Sequence, residues 1–219
     1  LAAQEKTDTT KTSYLDEVII SANKIAEPRK YVAQQVTIIS PATIKNLNAQ
    51  TAADLIQNSG QVGMQRSQQG GGSPIIRGFE ASRVVLMIDG VRMNNAIYRG
   101  GHLQNIITMD NNVLDRAEIL FGPSSTVYGS DALGGVVHFY TRNPQLSADT
   151  KLNISGNTFV RFGSANNEKT GHLDFNIGGK KFASLTSFTL SDFGDLRMGR
   201  KTNKALGEEY WVRNTYAQR

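Results

Sequence analysis

The chain has 219 residues, with 24 Lys and Arg against 19 Asp and Glu, a net charge of +5, 39% hydrophobic residues and no cysteine. That content suffices for one large domain or two small ones, while the lack of cysteine excludes a disulfide framework, a thiolate metal site and a cysteine nucleophile. The basic residues are dispersed rather than gathered in runs, so no nucleic-acid partner is expected, and no stretch approaches about eighteen consecutive apolar residues, which excludes a transmembrane helix but not a membrane β-barrel.

Residues 1–14 open with "LAAQEKTDTTKTS", polar and without apolar period, and read as a disordered leader. Ala3 suits the small residue before a signal-cleavage point, so export is expected. Residues 15–22, "LDEVIISA", form a short β-favouring segment, and the polar residues 23–35 read as a linker. A sticky strand on such a tether is either a first edge strand or a segment that adds to the sheet edge of a partner.

Residues 36–145 read as a compact α/β unit with a small mixed sheet and short helices. "VTIIS" is strand-like, and Ser40 before Pro41 is an N-cap followed by proline at the first helical position. Thr51 and Asp54 have the spacing of a capping box, with Leu55 and Ile56 as core candidates and Gly60 as the stop. "PIIRGF", "RVVLMIDGVRM" and "DRAEILF" are three β-rich runs, with Asp89-Gly90 predicting a tight hairpin turn. The glycine-rich "QQGGGS" and "NNAIYRGGH" read as surface loops, and Gly129, Gly134 and Gly135 as bends before the strand "VVHFY".

Beyond Pro144 the texture changes to segments of about ten residues separated by Gly, Asn, Asp and Ser turns. In "GHLDFNI" the apolar Leu173, Phe175 and Ile177 fall on one face, and His172, Asp174 and Asn176 on the other, which predicts one face toward lipid and one toward water. Four such strands are too few to close a barrel, which takes about eight, so residues 146–219 are expected to be the beginning of a longer barrel. The alternative is a small antiparallel meander packed on the first unit.

No reaction chemistry assembles. Gly70 to Gly72 are followed by a strand and no Gly-Lys-Ser/Thr, which fails the phosphate-loop pattern, and "GPSST" lacks the closing glycine of a serine nucleophile elbow. His102, His138 and His172 show no metal-ligand spacing. An enzyme is not expected.

The order "LDEVIISA", "PIIRGF", "VVLMIDGVRMN", "DRAEILFGPSSTVYGSDALGGVVHFYTR" resembles the plug domain of TonB-dependent outer-membrane receptors. The resemblance implies an α/β plug followed by the first antiparallel strands of a transmembrane barrel of about 22 strands, with transport driven through TonB and outer-membrane lipid around the wall. It makes Leu15, Asp16, Glu17, Val18, Ile19, Ile20, Ser21 and Ala22 the TonB box, and no signalling domain is expected ahead of it. Arg77 and Arg116 match plug arginines that face barrel-wall glutamates in relatives, which implies carboxylate partners outside this chain.

"VRMNNAIYRGGHLQNIIT" further resembles the receptors that take up haem or haemoglobin. His102 is then a ligand of haem iron, flanked by glycines that let a flat macrocycle approach, and Tyr98 a second ligand or stacking wall. Haem is cargo here, with no cofactor held permanently, and a surface lipoprotein is a further partner the resemblance admits. His138 reads as structural. The competing readings are a receptor for a siderophore, cobalamin or glycan, and a secreted plug-like binding module.

Overall fold

The computed structural model describes residues 18–19, 27–28, 31–66, 71–80, 83–93, 106, 109–149 and 151–194. The central element is a five-stranded mixed sheet. In chain order its strands are β3 (Val36–Ile39), β6 (Val84–Ile88), β7 (Val91–Arg92), β8 (Leu114–Phe121) and β9 (Gly135–Thr141), and its spatial order is β3-β8-β9-β6-β7. β6 and β9 run parallel and the other neighbours antiparallel. Smaller pairs join β1 (Val18–Ile19) to β2 (Glu27–Pro28), and β4 (Gly63–Gln65) to β5 (Ser73–Ile75).

The sheet is buried on both faces, so β6 reads as a continuous apolar run rather than an alternation. On one face Val84, Leu86, Ala117, Ile119, Val137 and Phe139 pack against helix α2 (Ala52–Asn58). That helix buries Ala52, Ala53, Leu55 and Ile56, and its predicted capping box is present, with Thr51 Oγ1 accepting from Asp54 N and Asp54 Oδ2 accepting from Thr51 N. Helix α1 (Pro41–Leu47) carries the predicted Ser40 cap and lays Ile44 and Leu47 on the same core. On the opposite face Val36, Val85, Met87, Leu120 and Val136 meet Tyr128, at the end of the short helix α3 (Ser125–Tyr128).

The Asp89-Gly90 turn forms as expected, with φ of 46° and 83°. Two glycine readings are corrected. Gly71 and Gly72 are buried, not in a surface loop, and a Cβ on Gly72 would lie 2.7 Å from Met64 Cγ and Sδ. Gly134 serves close packing: a Cβ there would overlap the Phe79 side chain and press on the Arg83 carbonyl oxygen.

Beyond β9 the chain forms a three-stranded antiparallel sheet of β10 (Asn153–Gly163), β11 (Glu168–Gly178) and β12 (Ala183–Asp192), with unbroken register across both ladders. One face exposes Ile154, Val160, Phe162, Leu173, Ile177, Phe188 and Leu190. The other buries Glu168, Thr170, His172, Asp174 and Asn176. The sequence placed this polar face toward water; it lies against the α/β unit instead. "EEYWVRNTYAQR", read as a fourth strand, lies outside the described residues.

Candidate functional site

Two polar assemblies stand out, one on the face of the five-stranded sheet opposite α1 and α2 and one in the seam with β10–β12. The first is built by strand alternation. Arg116 and Glu118 are two apart on β8 and lie opposite Tyr140 and His138 of β9. Glu118 is completely buried, and Arg116 donates from Nε to its Oε1 at 2.8 Å and from Nη1 to Asp115 at 3.3 Å. The guanidinium also lies 3.9 Å from the Tyr140 ring centroid. Burial works against the Arg116 cation, but the Glu118 hydrogen bond and charge, with Tyr140 and Asp115, outweigh it and raise its pKa. Arg116 thus has carboxylate partners inside this chain, in Glu118 and Asp115.

His138 stacks on Tyr140 at 4.1 Å and accepts the Gly90 N–H on Nε2 at 2.8 Å, tying β9 to the hairpin turn. Burial pushes its pKa down to about 4, against the pull of the Glu118 and Asp89 carboxylates. An imidazole that accepts through Nε2 is neutral, so the two observations agree. Burial, with a contribution from Glu118, raises the Tyr128 phenol to about 12. Arg77 is exposed, has φ of 50°, donates to Gln35 Oε1 at 2.6 Å and sits 5.6 Å over Phe121. Arg77 and Arg116 therefore occupy separate environments.

The second assembly joins the α/β unit to the three-stranded sheet in two patches. In the first, Arg161 of β10 donates Nε to Glu168 Oε1 at 2.8 Å and Nη1 to Ala49 O at 3.0 Å and Asn48 Oδ1 at 3.2 Å. A cation thereby meets the polar groups just past the C-terminal end of α1, where helix polarity favours it. Asn166 and Gln50 exchange amide hydrogen bonds beside it, at 3.0 and 3.4 Å.

In the second patch Arg142, just past β9, donates to Asp174 Oδ2 at 2.8 Å, and Gln145 and Asn176 bond reciprocally at 2.9 and 3.1 Å. Here too His172 joins Asp174 to Thr189, and Thr189 donates to Asp110 Oδ2 at 2.5 Å. A cavity of about 620 Å³ opens between the patches, lined among others by Lys45, Asn112, Asn157 and Phe159.

Of the residues singled out in the sequence, His102, Tyr98, Leu15, Asp16, Glu17, Ile20, Ser21 and Ala22 lie outside the described residues. Val18 and Ile19 pair with Pro28 and Glu27. Sequence reasoning missed Asp110, Arg142, Arg161, Glu168 and Thr189. The available signal was the alternation in β11: Glu168 and Thr170 extend the polar series of His172, Asp174 and Asn176 along one face.

Residues 28–136 match the family described as TonB-dependent Receptor Plug Domain. The chain is 32% identical over 143 residues to the vitamin B12 transporter BtuB of Vibrio vulnificus (strain CMCP6), an alignment covering 64% of this chain and 23% of that protein. Among solved structures it resembles the pyoverdine outer membrane receptor FpvA of Pseudomonas aeruginosa PAO1 bound to pyoverdine, with TM-score 0.68, 16% identity and coverage of 82% and 25% of the two chains. It also resembles the alcaligin outer membrane receptor FauA of Bordetella pertussis, with TM-score 0.63, 17% identity and coverage of 80% and 29%. The chain thus spans about a quarter of the length of these proteins.

Proposed function

Since residues 28–136 of this chain are the plug domain of a TonB-dependent receptor, we propose that the whole protein is an active transporter of the bacterial outer membrane, with β10–β12 as the opening strands of its wall. One observation carries this reading. The three-stranded sheet turns an apolar face outward and seats a folded domain on its polar face. A water-soluble meander would bury its apolar side and leave the polar one wet. A wall inside out by that standard, with its lumen side occupied by a plug, suits a closed transport channel.

The outer membrane has no nucleotide pool, so opening the plug takes work delivered by a partner. TonB, pairing in β fashion with residues 15–22, is that partner in this reading. The cargo is a metal complex. Haem is the candidate carried by His102 and Tyr98, as an axial imidazole beside two glycines; cobalamin is the candidate carried by kinship with a vitamin B12 transporter. A siderophore is the third member of the set.

The experiment is a titration of purified full-length receptor with haemin and, separately, with cyanocobalamin, followed by uptake in cells with and without TonB. Haem as cargo predicts a Soret shift that changes in His102→Ala. Saturable cyanocobalamin binding with an unchanged haemin spectrum assigns the site to cobalamin. Uptake that persists without TonB would sink the transport mechanism itself.

A further inference from the structure

His172 lies in the wall strand β11 with a side chain only 2% exposed, and both of its ring nitrogens are engaged. Nε2 faces Asp174 Oδ2 at 3.0 Å, and Nδ1 faces Thr189 Oγ1 at 2.7 Å. Thr189 has one hydroxyl proton, and it is directed to Asp110 Oδ2 at 2.5 Å. Asp110 uses its other oxygen to accept from Asn112 N and Nδ2, at 2.9 and 2.8 Å. Asp174 Oδ2 also accepts from Arg142 Nη2, and its Oδ1 from Asn157 Nδ2 at 3.3 Å. Each ring nitrogen therefore meets an acceptor with no proton to give. A neutral imidazole has one N–H and would leave one of these contacts as two facing lone pairs.

From this donor and acceptor count we infer that His172 is an imidazolium donating from both ring nitrogens, and that it is the positioning residue of a clasp fastening the plug, through Asp110 and Arg142, to wall strands β11 and β12. Two cations, Arg142 and His172, then balance two anions, Asp174 and Asp110, as a buried ionic group needs. Phe159 of β10 stacks on the ring at 5.1 Å and fixes its plane. The clasp grips the plug at two points: Asp110 just before β8, and Arg142 just after β9. The β8–β9 ladder joins them. The plug's last two strands are thus held to the wall as a unit. The inference rests on β10–β12 being a barrel wall.

The test uses the full-length receptor reconstituted in liposomes without TonB. With ¹⁵N-labelled histidine, the resonance lost in His172→Gln identifies His172 and is expected to show two protonated nitrogens; one unprotonated nitrogen would overturn the inference. Leakage of an entrapped dye through the receptor is expected to rise on the order of tenfold in His172→Phe, because Asp110 and Asp174 lose their shared cation. Thr189→Val, which cuts only the Asp110 branch, is expected to raise it less, and the two changes together to be non-additive. If His172→Phe does not fold, Thr189→Val carries the leakage test alone. Wild-type leakage in a folded Thr189→Val receptor overturns the clasp. The liposomes contain no TonB, so a failure of energy coupling in cells leaves this result standing, and a failure here leaves the coupling result standing.

Discussion

His138 makes acid stability a test of how the plug sheet is held together. Unfolded, the imidazole takes up a proton near its ordinary value of 6.5; folded, it does so only near 4. Between those values the unfolded chain binds a proton that the folded chain refuses, so stability falls as pH falls through that window and is unaffected above it. At about 1.36 kcal/mol per pH unit the gap amounts to roughly 3.4 kcal/mol. Water reaching the ring once it is charged screens part of this, leaving on the order of 1.5–2 kcal/mol. Protonation also removes the acceptor for Gly90 N, loosening the hairpin turn at the end of β6. Urea unfolding of residues 15–145 at pH 7.5, 5.5 and 4.5, compared with His138→Gln, isolates the effect. Glutamine can accept the Gly90 N–H but does not titrate, and carboxylates such as Asp131, held low by its Arg92 hydrogen bond, contribute equally to both proteins. Equal losses in the two proteins between pH 7.5 and 4.5 would refute the assignment of a neutral, accepting His138.

Gly135→Ala is expected to destabilise the plug by about 2 kcal/mol or more, because φ is 156° and the added Cβ would overlap the Leu120 carbonyl oxygen and press on Ile76; the urea midpoint reads it. Thr51→Ala removes the capping box of α2 and should cost about 1 kcal/mol in the same assay. Residues 150–219 expressed alone should aggregate, since strand edges and the apolar face of β10–β12 are uncovered, whereas residues 15–145 stay soluble; light scattering distinguishes them. Val18→Pro should leave ligand binding intact and abolish uptake, and surviving uptake would make residues 15–22 an edge strand only.

What the sequence made legible was local. Caps at Ser40 and Thr51 and the Asp89-Gly90 turn are written in adjacent residues, and each forms as its chemistry dictates. The run "VVLMI" likewise reads as a strand and forms one; that it is buried on both faces is a finding of the structure. The Arg116–Glu118 pair, two residues apart on one face of β8, is compatible with the strand read in "DRAEILF" but is not singled out by it. Long-range pairings were out of reach. Arg161 and Asn48 are 113 positions apart, and their hydrogen bond exists only because the wall sheet folds back over α1. The candidate cargo residues His102 and Tyr98 rest on sequence resemblance alone.

The misreading of the polar face of β11 has a physical cause. Alternation reports that two faces meet different surroundings, not what those surroundings are. His172, Asp174 and Asn176 look like residues facing water because isolated side chains of this kind are cheapest there. They are buried because each finds a partner in the plug or on the wall: Arg142 for Asp174, the Gln145 backbone for Asn176, and Asp110 through Thr189 for His172. A seam of paired polar groups has a consequence an apolar one lacks. Water entering it replaces each hydrogen bond in turn, so separation costs far less than baring an equal apolar area. Under the proposed transport function, a plug that stays shut at rest and moves under a modest pull fits such a polar seam, with the outward apolar face of the same strands remaining in lipid while the plug shifts.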